Sequence, residues 1–388
     1  MPVAIPPPSI ESVDSFYFSP AEAQGGIGAL ERRYGSIVAG WDTDPHKMLP
    51  PGMKVVFFGQ PAPGCATDRR DGAAGAGPSW SPDPGSAGCD PAAKFSERRP
   101  QVALGSEGGA PALRLFTPTG PDPAGRPAFF APWGAQGQNG RGTNSFIQGT
   151  FVIFRQAWNG AHPHRPWVEH GSGAPSDARL RSTQSVNAAR VGPDAGQGTA
   201  IQVKQQMMAS FINTTCMHTI ANPKHPCQLQ YLLNTAVVRA GVSDWSRVAW
   251  FDKGNVMFDP AQGGIAVIDG PIKPSGTETV DGRSGLGLFT SQGSETQHGE
   301  FQGQVFDVRI SFAQLQNALR IIAARQAEVP ANAVTPGQLA ELWGAAYADP
   351  GAWVLLSVNV AQETHNPIAS REALIDGTVR DLFVGTQN

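Results

Sequence analysis

Four groupings of side chains in this sequence could do chemistry. The tightest is CMHTIANPKHPC, where Cys216-x-His218 and His225-x-Cys227 flank a turn through Ala221, Asn222 and Pro223. In a hairpin, residues two apart share a face. A register that pairs Cys216 with Cys227 therefore also pairs His218 with His225. Two cysteines and two histidines are a legitimate zinc set. A disulfide closing the hairpin, with two ordinary surface histidines beyond it, explains the same residues and is the favoured reading, because exported chains oxidise such pairs.

The second grouping is AHPHRPWVEH, which brings His162, His164, Glu169 and His170 close together in sequence. On a strand, His-x-His sets both imidazoles on one face, as zinc and copper sites require. Pro163 and Pro166 favour a loop instead, where a solvated cluster is the simpler account. The cofactor to look for is a transition metal at His162, His164 and His170, or a structural calcium.

The third is a pair of isolated glutamates, Glu300 in QHGEF and Glu363 in AQETHNP, each two residues from a histidine, His298 and His365. Glycoside hydrolysis needs two carboxylates flanking the scissile bond, roughly 5 to 9 Å apart. Glutamates at strand ends are otherwise simply solvated, so this reading requires the two to meet in a groove. The fourth is an amide-rich strand face. Gln228, Gln230 and Asn234 alternate with Leu229 and Leu233, and Gln202, Lys204 and Gln206 alternate in the same way. Amides both donate and accept hydrogen bonds, and aromatic rings such as Trp245 and Trp250 stack on apolar sugar faces. Gln228, Gln230 and Trp250 are thus candidate substrate-binding residues. An ordinary solvent-facing sheet of low charge carries the same pattern.

These groups need a scaffold, and the composition describes one. Only 16% of the 388 residues are charged, while 46 are Gly and 34 are Pro. Long helices need charged residues on their wet faces, whereas Gly and Pro supply the backbone angles of turns. Many short strands joined by elaborate loops follow. Strands are predicted at Met53–Phe58, Ala112–Phe116, Pro127–Ala131, Phe146–Phe154, Ile201–Ile212, Cys227–Arg239, Arg247–Phe251, Gly264–Ile268, Phe301–Ile310, Trp353–Val360 and Thr378–Val384. Residues 60–109 and 159–198 read as loops. Helices are predicted after Ser19, Ser311 and Thr335, each an N-cap with Glu22, Gln314 or Gln338 three residues on. Residues 1–135 form a loop-rich segment packed on a main domain of residues 136–388.

The net charge of -3 and the absence of basic runs disfavour nucleic acid and anionic membranes as partners. No apolar run reaches the roughly 18 residues of a membrane span. Cys65 with Cys89 and Cys216 with Cys227 read as two local disulfides, although four cysteines allow three connectivities. Such pairs suggest a secreted or periplasmic protein, though MPVAIPPPSI is no signal peptide. A cytosolic protein with four thiols is the alternative. Asn213-Thr214-Thr215 is a glycosylation sequon. GxSxG, Walker, dinucleotide and HExxH motifs are absent, which disfavours the reactions they serve.

The segment from Gly303 to Leu315, GQVFDVRISFAQL, resembles the late strand of concanavalin A-like and laminin-G-like jelly rolls. Those carry a glycine, an alternating strand with Asp-Val-Arg-Ile, and a leucine opening a short helix. The resemblance implies an antiparallel β-sandwich of jelly-roll type, in a superfamily of glycan lectins, glycoside hydrolases and polysaccharide lyases. It carries over no functional residue, because the glutamate-rich hydrolase motifs and the lyase strand motifs are absent. The resulting expectation is an extracellular protein acting on polysaccharide as hydrolase or lyase. A non-catalytic lectin or surface module is the first alternative, and a metalloprotein using the His162 cluster the second.

Overall fold

The structure is a computed structural model, and it describes residues 16–17, 52–58, 67–68, 79–80, 101–107, 110–119, 132–133, 145–155, 165–168, 176–192, 201–215, 225–242, 255–258, 265–272, 287–365 and 373–387. The chain is mainly β, arranged as two sheets in the manner of a β-sandwich. The smaller sheet runs β14 (Thr290–Gly293), β15 (Phe301–Ile310), β9 (Asp177–Val191), β17 (Ala373–Gln387), β6 (Ala110–Thr119) and β5 (Gln101–Glu107), with β1 (Phe16–Tyr17) also on β17. The larger runs β12 (Asn255–Phe258), β13 (Ile265–Pro271), β11 (Gln228–Arg239), β10 (Gln202–Asn213), β16 (Trp353–His365), β8 (Ser145–Arg155), β2 (Gly52–Phe58), β4 (Ser79–Trp80) and β3 (Thr67–Asp68). In addition, β7 (Pro132–Trp133) pairs with β8. Neighbours are antiparallel except β11 and β13. Strand β2 pairs with β8, while β6 pairs with β17 and carries β5 on its other side, so the first third of the chain contributes to both sheets.

Alternation puts one face of each central strand inward. From β10, Met207, Ala209 and Phe211 join Leu180 of β9, Phe306, Val308 and Ile310 of β15, and Val358 and Val360 of β16 in one apolar cluster. A second, smaller cluster at the other end holds Val186, Ile201, Val203, Ala236 and Ile375. Between them runs a seam of buried polar side chains. Thr117 donates to Gln362 (3.1 Å), Gln362 to Gln205 (2.9 Å), Gln205 to Gln184 (2.8 Å), Gln184 to Ser182 (2.9 Å), and Ser182 to the Met207 sulfur (2.9 Å). Thr235 adds a donor to Gln184 at 2.7 Å. Each amide gives in one direction and receives from the other, so the seam satisfies itself while joining the two sheets.

The helices begin where their caps predict. Strand β15 ends at Ile310, and α1 (Phe312–Gln326) follows from Ser311. The Ser311 hydroxyl accepts from Gln314 N at 3.2 Å, while Gln314 accepts from Ser311 N at 2.9 Å. Thr335 and Gln338 repeat this reciprocal cap for α2 (Pro336–Trp343). Leu315, Leu319 and Ile322 of α1 sink into the larger apolar cluster. Segments read from sequence as loops also carry strands: the two-residue β3 and β4 and the longer β5 within 60–109, and β9 within 159–198. Strand β9 hides because Ser182 and Gln184, two of its inward residues, belong to the polar seam, which erases the alternation. Strand β17 starts at Ala373, five residues before the predicted start. The expected helix after Ser19 and the strands at Pro127–Ala131 and Arg247–Phe251 lie outside the described residues.

Gly377 of β17 sits against the seam. A Cβ there would collide with Gln205 Oε1 and lie 2.7 Å from Ser185 O and 3.0 Å from Gln362 Nε2. Gly377→Ala is therefore expected to destabilise the fold by about 3 kcal/mol, the upper range for overpacking. Gly299→Ala, where a Cβ meets open space, serves as the matched control. Urea titration checks this as a lower midpoint at unchanged slope for the first variant only.

Candidate functional site

The outward face of the larger sheet carries the amide-rich pattern. On β10 the even residues face out, because Val203, Met207, Ala209 and Phe211 face the core. Register sets Gln206 opposite Asn234, Ser210 opposite Gln230 and Ile212 opposite Gln228 on β11. On the other side it sets Lys204 opposite Glu363, Met208 opposite Asn359 and Gln202 opposite His365 on β16. The fourth grouping and Glu363 of the third thus share one face.

A hydrogen-bond chain orders this face from one end. Asp269, in the second half of β13, takes Lys204 Nζ at 3.3 Å and Asn234 Nδ2 at 2.7 Å. Asn234 Nδ2 also donates to Gly270 O at 3.0 Å. Those two acceptors fix which end of the Asn234 amide carries the nitrogen. Its Oδ1 must then accept, and it takes Gln206 Nε2 at 2.9 Å. Gln206 Oε1 is consequently aimed away from the chain, buried and without a hydrogen-bond partner. Asn359 Oδ1, diagonal to it across β16, is in the same condition. Gln206 and Asn359 are 0% and 1% exposed. An unmet buried acceptor costs about 1 to 3 kcal/mol, and two on one face mark a place that a hydrogen-bond donor would complete.

Lys204 is 6% exposed and has Asp269 in contact and Glu363 as its cross-strand neighbour, with Cβ atoms on the order of 5 Å apart in such pairs. A buried ammonium between two carboxylates keeps its charge compensated. Sequence reasoning missed Asp269 and Asn359. The available signals were an acid closing the apolar run of β13 and the outward series Ser357, Asn359, Ala361 and Glu363 on β16.

The remaining candidates fall elsewhere. Glu300 is exposed just before β15, in the smaller sheet, where its carboxylate accepts from Ala189 N at 3.4 Å. The two glutamates of the third grouping therefore fall on different sheets, Glu363 on β16 and Glu300 beside β15. His298 lies beside β11, next to the bond from Val237 N to Gln297 O (2.9 Å). Gln230 is half-buried and Gln228 is 8% exposed. Trp250, His162, His164, Glu169, His170, Cys65, Cys89, Cys216 and His218 lie outside the described residues. Asn213 of the sequon is fully buried and its Nδ2 donates to Ala346 O at 3.1 Å, so the folded chain does not present it for glycosylation.

From the Cys/His hairpin, His225 and Cys227 are described. His225 Nδ1 faces the Tyr347 hydroxyl at 2.7 Å and Cys227 Sγ at 3.9 Å, and its ring packs edge-on against Tyr347. Cys227 is not a free thiol, and no pair of cysteines is described at bonding distance. Among the described residues, no group of three or more His, Cys, Asp and Glu is placed to hold a metal ion.

Burial lowers the pKa of His225 below its ordinary 6.5. The folded state therefore holds it neutral while the unfolded chain takes up a proton. Its contribution is complete above pH 6.5 and is lost as the pH falls toward the folded-state pKa. Thermal midpoints measured from pH 7.5 to 5.0 are expected to fall more steeply for the native chain than for His225→Gln. The slope left in the variant includes that of His298, whose pKa desolvation also lowers. Parallel curves would show that His225 does not titrate differently on folding.

No protein-family model matches the chain, and no curated protein matches it in sequence.

Proposed function

We propose that this chain is a carbohydrate-binding β-sandwich protein of jelly-roll type that seats a glycan on the outer face of its larger sheet. The observation that carries the reading is the pair of buried, unmet acceptors, Gln206 Oε1 and Asn359 Oδ1. Both sit on a face where Lys204, Asn234 and Asp269 are already fixed by one another. Sugar hydroxyls donate and accept at close spacing, which is what such a face lacks. Cleavage of the bound glycan, as hydrolase or lyase, is the second reading. One observation favours it: Glu363 stands across from Lys204 on the same face. Asp269, the other carboxylate there, is held by Lys204 and Asn234, which suits recognition better than proton transfer.

Isothermal titration against neutral oligosaccharides tests the binding site. Gln206→Ala and Asn359→Ala are each expected to weaken binding about tenfold or more, the equivalent of about 1.4 kcal/mol. Both truncations also remove buried packing, and Gln206→Ala removes the Nε2 donor to Asn234 Oδ1 as well, so each is expected to lower the thermal midpoint and binding is read well below it. Affinity unchanged in both variants would move the site elsewhere. Glu363→Gln is expected to leave binding intact. If the native chain releases reducing ends, that variant should lose turnover by orders of magnitude. If it releases none, the lectin reading stands.

Export is part of the same proposal, with Cys65–Cys89 and Cys216–Cys227 as its disulfides. Thiol titration under denaturing, non-reducing conditions should find no free cysteine. Four titratable thiols would remove the case for an oxidising compartment.

A further inference from the structure

Three arginines and an aspartate form a two-by-two block on the outer face of the smaller sheet. Arg179 and Arg181 lie on β9, and in register Arg309 of β15 stands opposite Arg179 and Asp307 opposite Arg181. All four point outward, because Leu180, Phe306, Val308 and Ile310 between them belong to the core. Asp307 is fully engaged: Arg179 Nε donates to its Oδ1 at 2.8 Å and a second guanidinium nitrogen reaches its Oδ2. Both side chains of that fork are nearly out of solvent, at 8% and 9% exposure.

Arg181 and Arg309, diagonal to each other, are left over. Among the described residues neither makes a hydrogen bond or ion pair, and Arg309 Nε is buried without a partner. Asp177 on β9 feels the charge of Arg309 without pairing with it. The described block thus holds three positive groups against two negative ones. Opposite Arg309, Thr290 accepts from Gln314 Nε2 at 3.1 Å, which leaves its own hydroxyl proton to donate. A guanidinium presents parallel N–H donors matched to a planar or tetrahedral oxyanion, and it is costly to bury without one.

We propose that this block binds an oxyanion between Arg181 and Arg309: a carboxylate or sulfate carried by an acidic sugar, or the free ion. The site lies on the opposite sheet from the amide-rich face and does not depend on the function proposed for that face.

Thermal melts of the full chain in sodium sulfate and in sodium chloride at equal ionic strength test it. A second arm titrates a sulfated or uronate-bearing oligosaccharide in chloride. Sulfate stabilises proteins generally by exclusion, so the quantity read is the difference between native chain and variant. The native chain is expected to gain a saturable rise in midpoint. That rise should be lost in Arg181→Gln and in Arg309→Gln and kept in Arg190→Gln, which alters an exposed arginine of the same strand. A variant-sensitive rise in the inorganic arm identifies the free ion as sufficient; one confined to the oligosaccharide arm identifies the sugar-borne group. A rise that is the same in native chain and variants in both arms, or absent in both, overturns the proposal. Arg309→Gln should also hold or raise the midpoint in chloride alone, whereas Arg179→Gln should lower it by stranding Asp307. Equal losses in the two would show that Arg309 already has a partner, and would overturn it too.

Discussion

Gln205 spans the space between the sheets, donating to Gln184 on the facing strand and accepting from Gln362 beside it, and the packing on either side is arranged around keeping that amide satisfied. Each strand that crosses the seam changes from apolar to polar and back at the same level. On β9 the inward series is Leu180, Ser182, Gln184, Val186, and on β10 it is Val203, Gln205, Met207. On β17, Ile375 and Val379 flank Gly377, whose missing side chain makes the room Gln205 occupies. A misregistered strand would set an amide against hydrocarbon and strand several hydrogen bonds at once. A wholly apolar interior would tolerate a two-residue slip far better. The seam therefore gives specificity of register where the flanking clusters give burial.

The same seam decides what was legible in the sequence. Strands β10, β11, β15 and β16 alternate clearly enough to be read, and both late helices announce themselves through Ser311 and Thr335. These signals are local: a cap needs its own residue and the one three positions on. The inward face of β9 is polar for a reason that lies on β10, β11 and β16, so no window along its own sequence could show it. On the outward face of the larger sheet, Lys204, Gln206, Gln228, Gln230, Asn234 and Glu363 are visible in the sequence as alternating polar residues. That Asp269 closes the chain and that Asn359 is left unmet depend on which strands are neighbours. The parallel pairing of β11 with β13 in particular has no signature in either strand.

The buried polar groups divide into two populations. Those in the seam are satisfied, each amide using both its ends. Of those without a hydrogen bond among the described residues, the Tyr231 hydroxyl and the Trp353 indole lie in the core, while Gln206 Oε1, Asn359 Oδ1 and Arg309 Nε belong to the outer faces, as does Arg380 Nε, which has Glu107 at ion-pair distance, 3.7 Å. A fold that satisfies the amides of its interior so thoroughly is able to satisfy others, so the concentration of unmet groups on the outer faces is informative. The two faces also differ in kind. The larger sheet offers oxygen acceptors beside a compensated lysine, and the smaller offers guanidinium donors in excess of carboxylate.

Depth sharpens the consequence for the larger sheet. Every residue of β10 is buried, so Gln206 does not lie on an open platform, and a group that reaches it must leave water to do so. In such a place an unmet acceptor discriminates strongly. A ligand hydroxyl that arrives there recovers the bond the acceptor lacks, while an analogue without it loses its own hydration and gains nothing in return. Lys204 and Asp269 contribute to this by being unavailable: tied to each other, they hold Asn234, which holds Gln206 in the one orientation that presents its oxygen. The charged pair thus works through position, and in the proposed binding role the selectivity of the face would reside in two neutral amides.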